Sequence, residues 1–148
     1  MTDARAISLG AGGGTIDTNG NNVTLNTGGS VTGGAGVALT HIGAGNLDIK
    51  GGQSYDILNA NGGLTTLDSA LGTGTSTLNA NATVQINVSQ TLAVLNIADG
   101  VEVTFGDGMS FGGAPVKLGG PALVPEPGML GLLLMGALGM AARRRRSA

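Results

Sequence analysis

Cysteine and tryptophan are absent from this chain, and phenylalanine and tyrosine together fill three of its 148 positions. Without cysteine there is neither a disulfide framework nor a thiolate metal site. Aromatic rings dominate the burial energy of most cores, so this interior must be made of Leu, Ile, Val and Ala in thin layers. Charge is scarce as well: 11% of residues are charged against 41% hydrophobic, the reverse of a disordered composition. Before position 143 the basic residues are Arg5, Lys50 and Lys117, against nine acids. Residues 1–142 therefore stand at −6, with no basic face for a phosphate backbone, and nucleic acid is excluded as a partner. A single histidine, His41, rules out a His-based triad and a multi-His metal site, and is expected to be a partly exposed strand residue. The glycine-rich stretches satisfy neither a P-loop nor a dinucleotide fingerprint, nor the Gly-Gly-x-Gly-x-Asp of a calcium roll. No cofactor and no metal is expected.

What the chain has is glycine, 29 residues of it, with abundant Thr, Asn and Ser. Short β-prone runs recur between Gly, Asn and Asp breakers: Thr15–Thr18, Asn22–Asn26, Asn46–Lys50, Tyr55–Asn59, Thr83–Val88 and Val101–Phe105. Val84, Ile86 and Val88 alternate with Gln85 and Asn87, the period-two pattern of a strand with one face inward. Asn19-Gly20-Asn21, Gly43-Ala44-Gly45 and Asn61-Gly62-Gly63 punctuate the runs.

Spacing says more than any single run. Leu58-Asn59-Ala60-Asn61 returns unchanged as Leu78-Asn79-Ala80-Asn81. Leu47-Asp48 and Leu67-Asp68 repeat with the same shift, Leu25-Asn26 precedes Leu47 by 22, and Leu95-Asn96 follows Leu78 by 17. Self-similarity with a period of about 20 residues marks a solenoid. No helical period separates the runs, which removes a leucine-rich horseshoe. The expected fold is all-β, a right-handed parallel β-helix over residues 1–105, with Asn and Thr ladders at its corners. An antiparallel sandwich, whose strands also recur with turn signals, is the alternative. Gly12–Leu25 resembles the autotransporter-associated β-strand repeat, as does Gly43–Gly52 with its Gly-x-Gly-x-Leu element. That resemblance, over residues 5–105, implies a β-helical stalk on an exported bacterial protein.

Residues 106–123, with Gly106-Asp107-Gly108, Gly112-Gly113-Ala114-Pro115 and Pro121, read as a flexible linker. Residues 124–148 differ in kind. Val124, Pro125, Glu126, Pro127 and Gly128 lead into an uncharged stretch from Met129 to Ala142, which includes Leu130, Leu132, Leu133, Leu134, Met135, Leu138 and Met140, and then come Arg143, Arg144, Arg145 and Arg146. Fourteen helical residues span about 21 Å at about 1.5 Å each, short of a roughly 30 Å hydrocarbon core. Arginine stems lengthen that reach by snorkelling, and bilayers thin around short spans. A transmembrane helix over 129–142 is expected, with membrane lipid as its partner. The arginines act as the stop-transfer end held on the cytoplasmic side, and Pro127 sits at the helix start. Pro-Glu-Pro, apolar stretch and arginine cluster, in that order at the C-terminus, resemble the PEP-CTERM sorting signal. The resemblance implies recognition of Pro125, Glu126 and Pro127 by an exosortase, a membrane-embedded cysteine peptidase, and processing after export. Localisation would then be the bacterial cell envelope, tethered to the inner membrane first and at the surface or outside after processing. Met1–Gly10 carries Asp3 and has no apolar core of a signal peptide, so further coding sequence is expected upstream, in a solenoid cut within a repeat.

Enzymatic readings centre on one pair. If coils of about 20 residues hold, Asp48 and Asp68 stack on one face, where two acids could serve glycoside hydrolysis or hold calcium. Solvent-facing acids are the plainer reading. Thr73-Gly74-Thr75-Ser76-Thr77 has the Thr-x-Thr spacing of ice-binding solenoids, yet one row is no flat lattice. The expectation is a non-enzymatic, exported surface or matrix-associated protein, with extracellular polysaccharide as a candidate partner. The alternative is a fragment of a carbohydrate-active β-helix enzyme or an ice-binding-type protein.

Overall fold

The computed structural model describes residues 2–72, 76–109, 111–113 and 116–118, and they form an all-β solenoid. The strands are β1 (Thr2–Asp3), β2 (Ile7–Ser8), β3 (Gly14–Asp17), β4 (Val23–Leu25), β5 (Ser30–Thr32) and β6 (Ala38–Ile42). There follow β7 (Asn46–Ile49), β8 (Gly52–Ser54), β9 (Ile57–Ala60), β10 (Leu64–Leu67) and β11 (Thr77–Ala80). The series closes with β12 (Thr83–Ile86), β13 (Gln90–Leu92), β14 (Val94–Ile97), β15 (Val103–Phe105), β16 (Phe111–Gly113) and β17 (Val116–Leu118). Every ladder between them is parallel. One sheet runs β1-β4-β7-β10-β12-β15, a second β3-β6-β9-β11-β14-β17, and the third side is shared between β2-β5-β8 and β13-β16. The sandwich alternative, with its antiparallel ladders, is not what forms. β16 and β17 fall within 106–123, so parallel pairing runs on past Phe105 into the stretch read as a linker.

Alternation sorts each strand into inward aliphatic and outward polar positions. Leu39, Leu58, Leu78 and Leu95 stack in register through the second sheet, while Leu25, Ile49, Leu67 and Ile86 do so in the first. All eight are buried. Each column removes its side chains from water only because a neighbour lies above and below, so stability is shared between adjacent coils.

The Leu58/Leu78/Leu95 register agrees with the sequence spacing. The Leu47/Leu67 register does not. Leu47 pairs with Thr65, and Leu67 with Ile49. Leu25 likewise pairs with Ile49 and not Leu47. A slip of two residues keeps every side chain on its own face, so the apolar pattern cannot distinguish the two registers. Turn length decides between them.

Between β10 and β11 no strand occurs among the described residues, and side chains take over the ladder's work. Gln53, from β8, donates to the Ser69 carbonyl at 3.1 Å and to its hydroxyl at 2.9 Å. Gln90, from β13, accepts the Leu71 N–H at 2.8 Å and donates to the Ser69 carbonyl at 3.2 Å. Buried Tyr55 donates its hydroxyl to Gln53, and burial pushes its pKa up. These amides satisfy backbone groups that would otherwise be left unpaired inside the stack.

Candidate functional site

The outward row of the first sheet carries the acids singled out from sequence. Asp48 points out from β7, and Asp68 follows the end of β10. The observed register sets Asp48 beside Thr66 and brings Asp68 level with Lys50, so the two acids are not stacked on each other. They meet through the lysine. Lys50 Nζ is 3.2 Å from Asp48 Oδ2 and 3.6 Å from Asp68 Oδ2. Asn87 extends the strip by donating to Asp68 Oδ1 at 2.8 Å, and Gln85 donates to Asn87 at 3.0 Å. One oxygen, Asp48 Oδ1, is buried without a hydrogen-bond partner.

This arrangement suits a surface clasp better than a reaction. Glycoside hydrolysis places its two acids on either side of a bound sugar, whereas here an ammonium already stands between them. As a base, Lys50 is tuned the wrong way: the Asp48 hydrogen bond and charge, with Asp68 adding to them, raise its pKa. The ammonium also sits where a calcium ion would have to go. Among the described residues no group of three or more His, Asp or Glu comes together to hold a metal. Because the lysine head is solvated, the clasp is worth little. Lys50→Ala is therefore expected to leave the melting temperature unchanged within error at 0.15 M salt, as read by circular dichroism.

Amide ladders line the outward face of the second sheet. Asn79 donates to Asn59 Oδ1 at 2.7 Å, Asn96 to Asn79 Oδ1 at 2.6 Å, and Asn59 to Thr40 Oγ1 at 3.2 Å. Asn81 donates to Asn61 at 2.8 Å. The repeated Leu-Asn-Ala-Asn is thus one inward leucine, one inward alanine and two outward ladder positions. His41 overturns its sequence reading: it is fully buried, on the same parity of β6 as inward Leu39. Its nitrogens meet Thr65 Oγ1 at 2.8 Å and Thr18 Oγ1 at 3.4 Å, so threonines satisfy it where solvent was expected to. Strand parity was the signal that could have found it.

The tail residues, Val124–Gly128, 129–142 and Arg143–Arg146, lie outside the described residues, as does Thr73-Gly74-Thr75. Among the described residues no helix is long and apolar enough to cross a membrane. The function-bearing segment is recognised by its order of residue types. Residues 123–146 match the PEP-CTERM protein-sorting motif. No curated protein and no solved structure matches the chain. The motif is a sorting signal processed by an exosortase, so this is an exported protein of the bacterial cell envelope and exosortase is its partner.

Proposed function

We propose that the protein is a non-enzymatic β-solenoid stalk, held at the membrane by its tail until the peptidase acts, then released or transferred to the cell surface or extracellular matrix. In this reading Pro125, Glu126 and Pro127 are the recognition residues. Met129 to Ala142 forms the retaining transmembrane helix in lipid, and Arg143 to Arg146 stop transfer. The coils wind right-handed, as parallel crossovers do, and form a stalk of the kind the β-strand repeat resemblance implies. The three-part tail carries the proposal. The clasped acids on the body, with a lysine between them and no third acid gathered beside them among the described residues, support a role in attachment over catalysis. An uncharged extracellular polysaccharide suits residues 1–123, whose eight acids and three bases leave them at −5.

The test follows the mass of the full-length chain in two bacterial hosts, one with and one without an exosortase. Loss of the segment beyond the Pro-Glu-Pro in the first host alone is the expected result, and Glu126→Ala or Pro127→Ala should abolish it. An intact tail of identical mass in both hosts defeats the reading.

A further inference from the structure

The single histidine is a buried base to which the proposed function gives no role. His41 extends from β6 across the interior, with Nδ1 against Thr65 on the opposite sheet and Nε2 against Thr18 in the turn after β3. Thr18 is a hub. Its hydroxyl proton goes to the Ile42 carbonyl at 3.1 Å, and its oxygen accepts the Gly45 N–H at 3.1 Å. With that proton committed, Nε2 must be the nitrogen that donates to Thr18. Nδ1 is then bare and accepts from the Thr65 hydroxyl. One neutral tautomer satisfies all three residues.

A second ring proton breaks this arrangement. The new Nδ1–H would turn the Thr65 hydroxyl, itself fully buried, from donor to acceptor and force the hydroxyl's own proton away from the ring, and a whole charge would lodge beside an aliphatic cluster. The register neighbours of His41, Ile16 on β3 and Ala60 on β9, are uncharged. Asp17, at the end of β3, is the carboxylate whose charge reaches the ring. Asp48, Lys50 and Asp68 belong to the outer side of the opposite sheet and pair with one another.

We propose that His41 is an acid-sensitive latch, which when neutral ties the Thr18 turn to both sheets and when protonated releases β3 and the coil before it from the stack. Burial lowers the ring's pKa, and the attraction of Asp17 opposes that only in part. An unfolded chain therefore takes up the proton first. Stability is complete above about pH 6.5, the ordinary histidine value, and is lost as pH falls from there towards the folded value.

Because the chain has one histidine, the carbon-bound ring protons of the full-length protein in detergent micelles report it directly by NMR. The ring should titrate below the free-histidine midpoint, and the amides of residues 14–21 should lose their native signals before those of β11 and β14. Between pH 7.5 and 5.5, above the range of most carboxylates, the unfolding constant should rise, by about tenfold at most. His41→Gln, which keeps an acceptor for Thr65 and a donor for Thr18 without a charge, should remove that rise. Titration at the ordinary value with native signals intact overturns the proposal, as does the same pH dependence in His41→Gln. Should the variant fail to fold, the wild-type ring and amide signals decide alone. Neither outcome depends on the fate of the tail.

Discussion

Gly63→Val is expected to abolish the folded state at 25 °C, seen as loss of the far-ultraviolet β signal and of a sharp melting transition. Gly63 has φ +48°, in a region where a β-branched residue is a genuine outlier. Space is the larger problem. A Cβ at Gly63 would land on the carbonyl oxygen of Gly45, and one at Gly45 would land on that of Asn21. The three residues stack at one corner of successive coils, where backbone meets backbone and no side chain can turn aside. The collision would push apart the β10 and β7 ladders that carry the Leu47 and Ile49 contacts. A loss above about 4 kcal/mol takes most of the stability of a small domain. Gly20 separates the two causes. It has φ +77° but open space where a Cβ would go, so Gly20→Ala should cost only about 1–2 kcal/mol and keep a cooperative melt. Equal losses at both positions would show that backbone conformation, and not crowding, governs the corner.

Leu78→Ala carries the second large effect, about 2–5 kcal/mol by urea denaturation. Leu78 has no exposure and stands in register between Leu58 and Leu95. The parallel ladders fix coil spacing at about 4.8 Å, so the walls of the cavity cannot close over it. Position matters as well as size. In a stack held by nearest-neighbour contacts, a fault near the middle uncouples the coils on either side, and the transition should broaden or split. Thr77→Ala, one residue away on the outward face, is expected to stay within about 0.5 kcal/mol. A Leu78→Ala loss no larger than that would mean that the leucine column does not hold the coils together.

How far the sequence could be read varied along the chain for identifiable reasons. Leu58-Asn59-Ala60-Asn61 and its copy announced both the leucine column and the amide ladder, because an unbroken four-residue repeat leaves one register. Leu47-Asp48 and Leu67-Asp68 offered a shorter match, and a two-residue slip that preserves parity went unseen. Asp48 and Asp68 were expected to stack and do not, and Lys50, the residue at which they meet, came from the register and not from spacing. His41 was misread because lone polar residues are usually solvated, although its parity with Leu39 pointed inward.

Residue types and their order alone determined the export signal, since Pro-Glu-Pro, an uncharged stretch and four arginines are read as a linear string. They also determined the solenoid class, because a repeat of about 20 residues with period-two alternation stacks strands on their own copies. Only the tertiary structure decided which residues of neighbouring coils face one another, and with that the Asp48–Lys50–Asp68 clasp, the glutamines that take the place of a ladder between β10 and β11, and the threonine cage of His41. The reason is geometric: turn lengths sum around each coil to set the register, and contacts between residues some 16 to 27 positions apart follow from that sum and not from any local pattern.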